Sequence, residues 1–268
     1  MLRIMVSLTC LLYLTANTLA ATEEDRRTCA SEHNADLKIT ACTRVIEDHT
    51  SPPAIRTMAY RDRGLAYANK NLQELAIADF DEVLKIDSKD TAALGNRGRA
   101  YQARGQYDRA IADFSTLIGL LPGSERAYNE RGLAHLHKGE LAPALADFEK
   151  AIAINATFIA ARNNRGVVLA REGKPDVAII EYSEALRLDP EFVLAYANRG
   201  RAYEQRGEFE QALLTTSGLW ITKVARPRTI SARRARPSNV LRAFLRSLPR
   251  VRQPPTALLS QSVGSPSS

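Results

Sequence analysis

The pair Arg63-Gly64 returns at Arg97-Gly98, Arg131-Gly132, Arg165-Gly166 and Arg199-Gly200, each glycine 34 residues after the last, with no insertion. A fixed period of this length means one supersecondary unit laid down repeatedly, and it excludes folds whose elements differ from end to end. The rest of the pattern keeps step. Three residues beyond each glycine stand Tyr67, Tyr101, His135, Leu169 and Tyr203, and twelve beyond stand Ala76, Ala110, Ala144, Ala178 and Ala212. Sixteen beyond stand Phe80, Phe114, Phe148 and Tyr182, after which the pattern fails at Thr216. Gly105, Gly139, Gly173 and Gly207 mark a turn in the middle of the unit.

Both halves of the unit have helical periodicity. Tyr60, Gly64 and Tyr67 fall at i, i+4, i+7, and Ala76, Phe80 and Val83 do the same in the second half. The small residues Gly64 and Ala76 let two antiparallel helices approach, and the aromatics beside them fill the space around the crossing. Neither helix can bury its stripe alone, so the units must stack. Pro122 and Pro190 stand where a unit ends, after its second helix.

These residues resemble the tetratricopeptide repeat, with its Gly, Tyr, Ala, Phe and Pro slots at fixed offsets in 34. The resemblance spans Thr57 to Leu213, as repeats 57–90, 91–124, 125–158 and 159–192 and a partial repeat 193–213. It implies an all-α solenoid of stacked antiparallel helix pairs that binds protein or peptide. The slot usually held by Trp contains Tyr60, Leu94, Tyr128, Arg162 and Tyr196, and Arg replaces the apolar residue before every glycine. Asn96-Arg97-Gly98, Asn164-Arg165-Gly166 and Asn198-Arg199-Gly200 look like an Asn-Arg-Gly variety of exported bacterial members. The recurring arginines lie at the margin of the buried stripe, and acids recur at Asp79, Asp113, Asp147 and Glu181. The two series are expected to pair as a ladder, with a bidentate geometry that selects Arg over Lys.

The first helices of the family line a concave groove that holds peptides. At about 100° per residue, the face opposite the stripe carries Arg61, Asp62 and Leu65 in the first full repeat and Asn129, Glu130, Leu133 and His137 in the third. The candidate groove residues are Arg61, Asn96, Arg99, Asn129, His137, Asn163, Asn164, Arg171, Asn198, Arg201 and Gln205. Their amides and guanidinium groups suit an extended backbone and its carboxylates. The carboxylate clamp of chaperone-tail relatives is not expected, because Gly95 and Leu194 occupy slots where it needs basic residues. No catalytic constellation, cofactor loop or metal site is expected. His135 and His137 stand at i, i+2 and point to different sides of a helix, and His33 and His49 lie apart from them.

The two ends differ from the body. Arg3, an apolar run Ile4–Leu14 and a small-residue stretch ending Thr18-Leu19-Ala20 have the layout of a signal peptide cleaved after Ala20. Eleven apolar residues are too few to span a bilayer, which needs about 20. The mature chain is therefore expected to be periplasmic or secreted, with no integral membrane segment. Cleavage removes Cys10 and leaves Cys29 and Cys42, an even pair bound for an oxidising compartment. Laying residues 21–56 on a full repeat, as a degenerate helical one, places Cys42 in the Phe148 slot and Cys29 in the His135 slot. Those slots face one another, so a disulfide is expected there.

At the other end there is no Asp or Glu after Glu210, while Lys223 and nine arginines from Arg226 to Arg252 follow. The net charge of +7 thus belongs to the tail, and the body is mildly acidic, which argues against nucleic acid as its partner. An anionic polymer, nucleic acid or lipid, held by the arginine tail is the alternative function. Residues 214–268 are expected to be a disordered basic tail, leaving the fifth repeat without its second helix. A shift of one nucleotide in the reading frame would explain this. Codons permitted for Leu214–Ile221 then read Ala-Asp-Tyr-Glu-Arg-Ala-Leu-Asp, which restores the acid and aromatic slots in register.

Overall fold

The computed structural model describes residues 20–224. The expected signal peptide before residue 20 and the tail beyond Val224 lie outside the described residues. Twelve α-helices and no strand occur among the described residues: α1 Glu23–Ser31, α2 Ala35–Glu47, α3 Pro53–Asn69, α4 Gln73–Ile86, α5 Thr91–Ala103, α6 Tyr107–Leu120, α7 Glu125–Lys138, α8 Leu141–Ile154, α9 Ile159–Arg171, α10 Pro175–Leu188, α11 Val193–Gln205 and α12 Phe209–Val224. Each packs on the helix before and after it, so the chain is a stack of six helix pairs. Several first helices are fixed by side-chain caps. Asp90 accepts from the Ala93 N–H, Ser124 from that of Ala127, and Thr22 forms a reciprocal capping box with Asp25. Within the pairs from α5 onward the turn rests on Gly105, Gly139, Gly173 and Gly207, all at positive φ. Asn71 takes that left-handed place in the first full repeat, at φ 61°, which Asn tolerates better than most residues.

Inside each pair the glycine of the first helix meets the ring of the second. A Cβ at Gly98 would lie 2.7 Å from Phe114 and one at Gly166 2.6 Å from Tyr182, closer than carbon atoms can pack. The rings of Phe80, Phe114, Phe148 and Tyr182 are almost wholly buried. This contact is why the 34-residue phase admits no drift.

In the first three full repeats the arginine before the glycine joins three helices. Arg63 donates from Nε and Nη2 to the two oxygens of Asp79 on α4, at 2.9 and 2.8 Å, and from Nη1 to Thr43 on α2 at 2.9 Å. Arg97 repeats the fork on Asp113 and reaches back to Asp81, and Arg131 repeats it on Asp147 and reaches back to Ser115. Each fork locks a pair internally while the third arm ties it to the preceding pair. The guanidinium groups also lie over the tyrosines of the Trp slot, Arg63 on Tyr60 and Arg131 on Tyr128. The fourth repeat departs from the pattern. Glu181 is one methylene longer than Asp and is shared by Arg165 and Arg162, the latter 3.7 Å away, which leaves Arg165 Nε and Glu181 Oε2 buried without hydrogen bonds.

At the N-terminal end α1 and α2 form the degenerate pair, joined by the Cys29–Cys42 disulfide with an S–S distance of 2.06 Å. At the other end the expectation is corrected for residues 214–224, because α12 continues to Val224. Helix propagation needs only tolerable backbone residues, and Thr and Ser cost a few tenths of a kcal/mol each. The next proline is Pro227. What is lost is the packing pattern. Thr216 faces Gly200 where other repeats have a ring, and Thr215 is buried where they have an acid.

Candidate partner-binding groove

Each first helix touches the next first helix, from α1 to α3 through to α9 to α11, whereas no second helix touches the next second helix among the described residues. The first helices are therefore the more closely spaced layer, and the inner wall of the curve is theirs. That wall carries the expected groove residues, but the structure divides them into two sets.

One set is spent on holding the wall together. The Asn198 amide donates to Asn163 Oδ1 and that of Asn164 to Asn129 Oδ1, both at 2.9 Å. Asn163 donates in turn to Asn164 at 3.3 Å. Four asparagines thus form a ladder across α7, α9 and α11. Asn129 and Asn163 are about 5% and 4% exposed, which corrects the expectation that they face a ligand. Their amides are consumed between helices, because an unpaired amide buried there would cost about 1–3 kcal/mol. Arg61 is likewise engaged, with Asp90 at 3.4 Å, and Asn96 accepts from the Arg99 guanidinium.

The other set is open. Arg99, His137, Arg171, Arg201 and Gln205 are exposed, and Arg171 is steadied by the Leu136 carbonyl at 3.3 Å. Between α5 and α7 lies a pocket of about 350 Å³ lined by Arg99, Gln102, Ala103, Tyr107, Glu130 and His137. His137 stacks on Tyr107, with ring centroids 5.9 Å apart. Glu130 is half-buried, and burial pushes its carboxyl above the ordinary range against the pull of Arg99 and Arg126. Asp62, at the same register two repeats earlier, is raised for the same reason against Lys38 and Arg61. A larger cavity of about 570 Å³ lies between α4 and α6, but its Asp81, Arg97 and Asp113 are already bound to one another.

The repeat pattern placed Glu130 on the face opposite the stripe but did not count it among the candidate groove residues, and it left out Tyr107. Tyr107 comes from a second helix, and its slot holds Gln73, Leu141, Pro175 and Phe209 elsewhere. That variation was the available signal. His135 lies apart from the groove set, with Nδ1 2.6 Å from Glu140. No described helix is long and apolar enough to cross a membrane.

Two family models, both described as tetratricopeptide repeat, match the chain, one over residues 96–157 and 163–216 and the other over 59–90. Together they cover more than half of its length. No curated protein matches the sequence significantly. Among solved structures, that of the MamA protein is 27% identical, covers 65% of this chain and 98% of its own, and has a TM-score of 0.54. A tetratricopeptide repeat protein from Parabacteroides merdae is 17% identical, with a TM-score of 0.67 over 80% of this chain and 81% of its own. YrrB, described as a TPR protein with an unusual peptide-binding site, is 23% identical, with a TM-score of 0.50 over 78% of this chain and 100% of its own. The last two likenesses are of fold alone.

Proposed function

The chain belongs to the tetratricopeptide repeat family, and on that premise we propose that it is an exported scaffold whose concave wall binds an extended segment of a partner protein. The observation that carries this reading is the open set of the groove. Arg99, Arg171 and Arg201 stand exposed at intervals along one wall, with His137 among them, above an asparagine ladder that keeps the wall rigid. Cations spaced along a preformed surface favour a segment with acidic side chains and lose little entropy on binding. Glu130 supplies an acceptor that no donor among the described residues reaches, open to one from the segment's backbone. The leader-like start and the oxidised Cys29–Cys42 pair support export to the periplasm or beyond. The peptide-binding site named for YrrB supports the use of this fold for such a task.

The test is charge reversal of Arg171→Glu with Arg201→Glu, followed by crosslinking and pull-down from the native envelope. Partner recovery should fall while helical content stays unchanged, and normal recovery would overturn the groove reading. Deleting residues 225–268 separates the alternative. A groove binder keeps its partner, whereas a binder of anionic polymer through the arginine tail loses both partner and salt dependence.

A further inference from the structure

The start of the described chain is packed like a built-in part. Ala21 is 8% exposed and belongs to the core that holds Cys29, Cys42, Val45 and Ile46. Its backbone nitrogen points at Asp48 Oδ2, 3.1 Å away in a buried contact. Ala20, one residue earlier, is exposed.

Asp48 is an unusual place for a carboxylate. Its side chain is 2% exposed, and it caps the C-terminus of α2, the negative pole of that helix, where an acid is disfavoured. Thr50 and Ser51 nevertheless donate to it, Thr50 N–H at 2.9 Å and Ser51 Oγ at 2.8 Å. These bonds hold its carboxyl well below the usual carboxylate range, so it stays ionised. The only cation near it among the described residues is Arg26, whose Nη2 stands 3.8 Å away on a side chain also drawn to Glu23. The one cation paired with this buried negative charge among the described residues thus stands at the outer edge of ion-pairing distance, while a backbone nitrogen sits closer, in contact with it.

We propose that the Ala20–Ala21 bond is a processing site, and that the α-ammonium group released on Ala21 forms a buried ion pair with Asp48 which the unprocessed chain lacks. The inference rests on the exported reading above and adds the structural consequence of cleavage. Hydrolysis by an endopeptidase of the signal-removing class consumes one water. Its hydroxyl completes the carboxyl group of Ala20 and its hydrogen goes to the Ala21 nitrogen. The carboxyl proton then passes through solvent to the amine, leaving a carboxylate on the departing leader and an ammonium on the mature chain. The amide donor at 3.1 Å becomes a charged donor in the same place, with no movement of the helix that Thr22 already caps. The pair would tie the chain start to the α2–α3 turn.

The experiment expresses the full chain in an exporting host and measures the intact mass and the N-terminal residue. A second preparation carries a removable tag in place of residues 1–20 and is released to begin at Ala21. Each is treated with an amine-acylating ester at pH 7.5, and the modification of Ala21 is followed by mass spectrometry. We expect the native chain to begin at Ala21 and its amine to react about six- to eightfold more slowly at this pH than in an Asp48→Asn chain, the change that one unit of raised amine pKa produces there. A chain keeping Ala20 as its first residue, with Asp48 intact, should react at the ordinary rate, which preserves the test if Asp48→Asn fails to fold. A start at Ala21 with an ordinary labelling rate would overturn the ion pair and leave export standing. A native chain that keeps its leader or starts elsewhere would overturn the exported reading and the processing site together.

Discussion

Thr215→Asp should stabilise this protein, although it buries a new charge. In three repeats the arginine fork closes on an aspartate, with Nε donating at 2.9 Å in each. In the fifth, Arg199 lies over Tyr196 and reaches Ser183 Oγ at 3.1 Å, but its Nε is buried with no partner. Thr215 occupies the acid slot and is 6% exposed, so the space for a side chain of similar size is already formed. Two hydrogen bonds between charged groups contribute about 3–6 kcal/mol together. Taking the carboxylate out of water costs several kcal/mol. The arginine's desolvation has already been incurred, so the balance should be a gain of about 1–2 kcal/mol. For a unit of this size that corresponds to a rise of about 2–8 °C in thermal midpoint. Circular dichroism gives the midpoint, and amide exchange should slow in α11 and α12. The specific control is an Arg199→Met background, where the same aspartate has no partner and should destabilise. A lowered midpoint in the parent, or an equal rise in both backgrounds, would refute the reasoning.

Two further predictions follow from the same packing. Glu130→Gln should raise stability at pH 7. The folded carboxyl is raised above its unfolded value, so its favourable contribution is complete below the unfolded value of about 4.3 and is lost as pH rises through the folded one. The advantage of Gln should therefore vanish as urea midpoints are compared from pH 7 down to pH 4, and an advantage that persists there would count against burial as the cause. Gly132→Ala should destabilise by about 1–3 kcal/mol, because its Cβ would stand 2.7 Å from Phe148. Adding Phe148→Leu should recover part of that loss in a denaturation cycle, and strict additivity of the two would argue that the contact is not the reason.

The end of the solenoid joins sequence and structure in one question. Arg199 and Gly200 keep the geometry that meets an acid and a ring in other repeats, yet they face Thr215 and Thr216. The neighbouring reading frame would supply both missing residues in register, and we propose that frame as the origin of residues 214–268. The gene's nucleotide sequence decides it. If that frame encodes no second helix beyond Leu213, the proposal fails.

Much of the architecture was legible because its physics is local or periodic. A glycine facing a ring in every pair forces the 34-residue phase, and an Arg–Asp fork spanning 16 residues repeats with it, so both could be read as columns of the sequence. The Cys29–Cys42 pair was legible for the same reason, since it falls on two such columns. The division of the groove residues was not. Asn129 bonds Asn164 and Asn163 bonds Asn198, each pair 35 residues apart, one more than the period. Whether an amide on a first helix meets solvent or its neighbour depends on how far each repeat rotates on the last, a property of the stack that no single repeat encodes. The same rotation brings Tyr107 of a second helix beside His137 and leaves Glu130 half-buried. The length of α12 escaped the pattern in the opposite way. Backbone hydrogen bonds carry a helix onward when its side chains have stopped matching the repeat. The sequence alone thus determined the unit and its internal contacts, because those recur at fixed spacing. Only the tertiary structure decided which polar groups remain free for a partner, because that is settled between units, by the burial that stacking imposes.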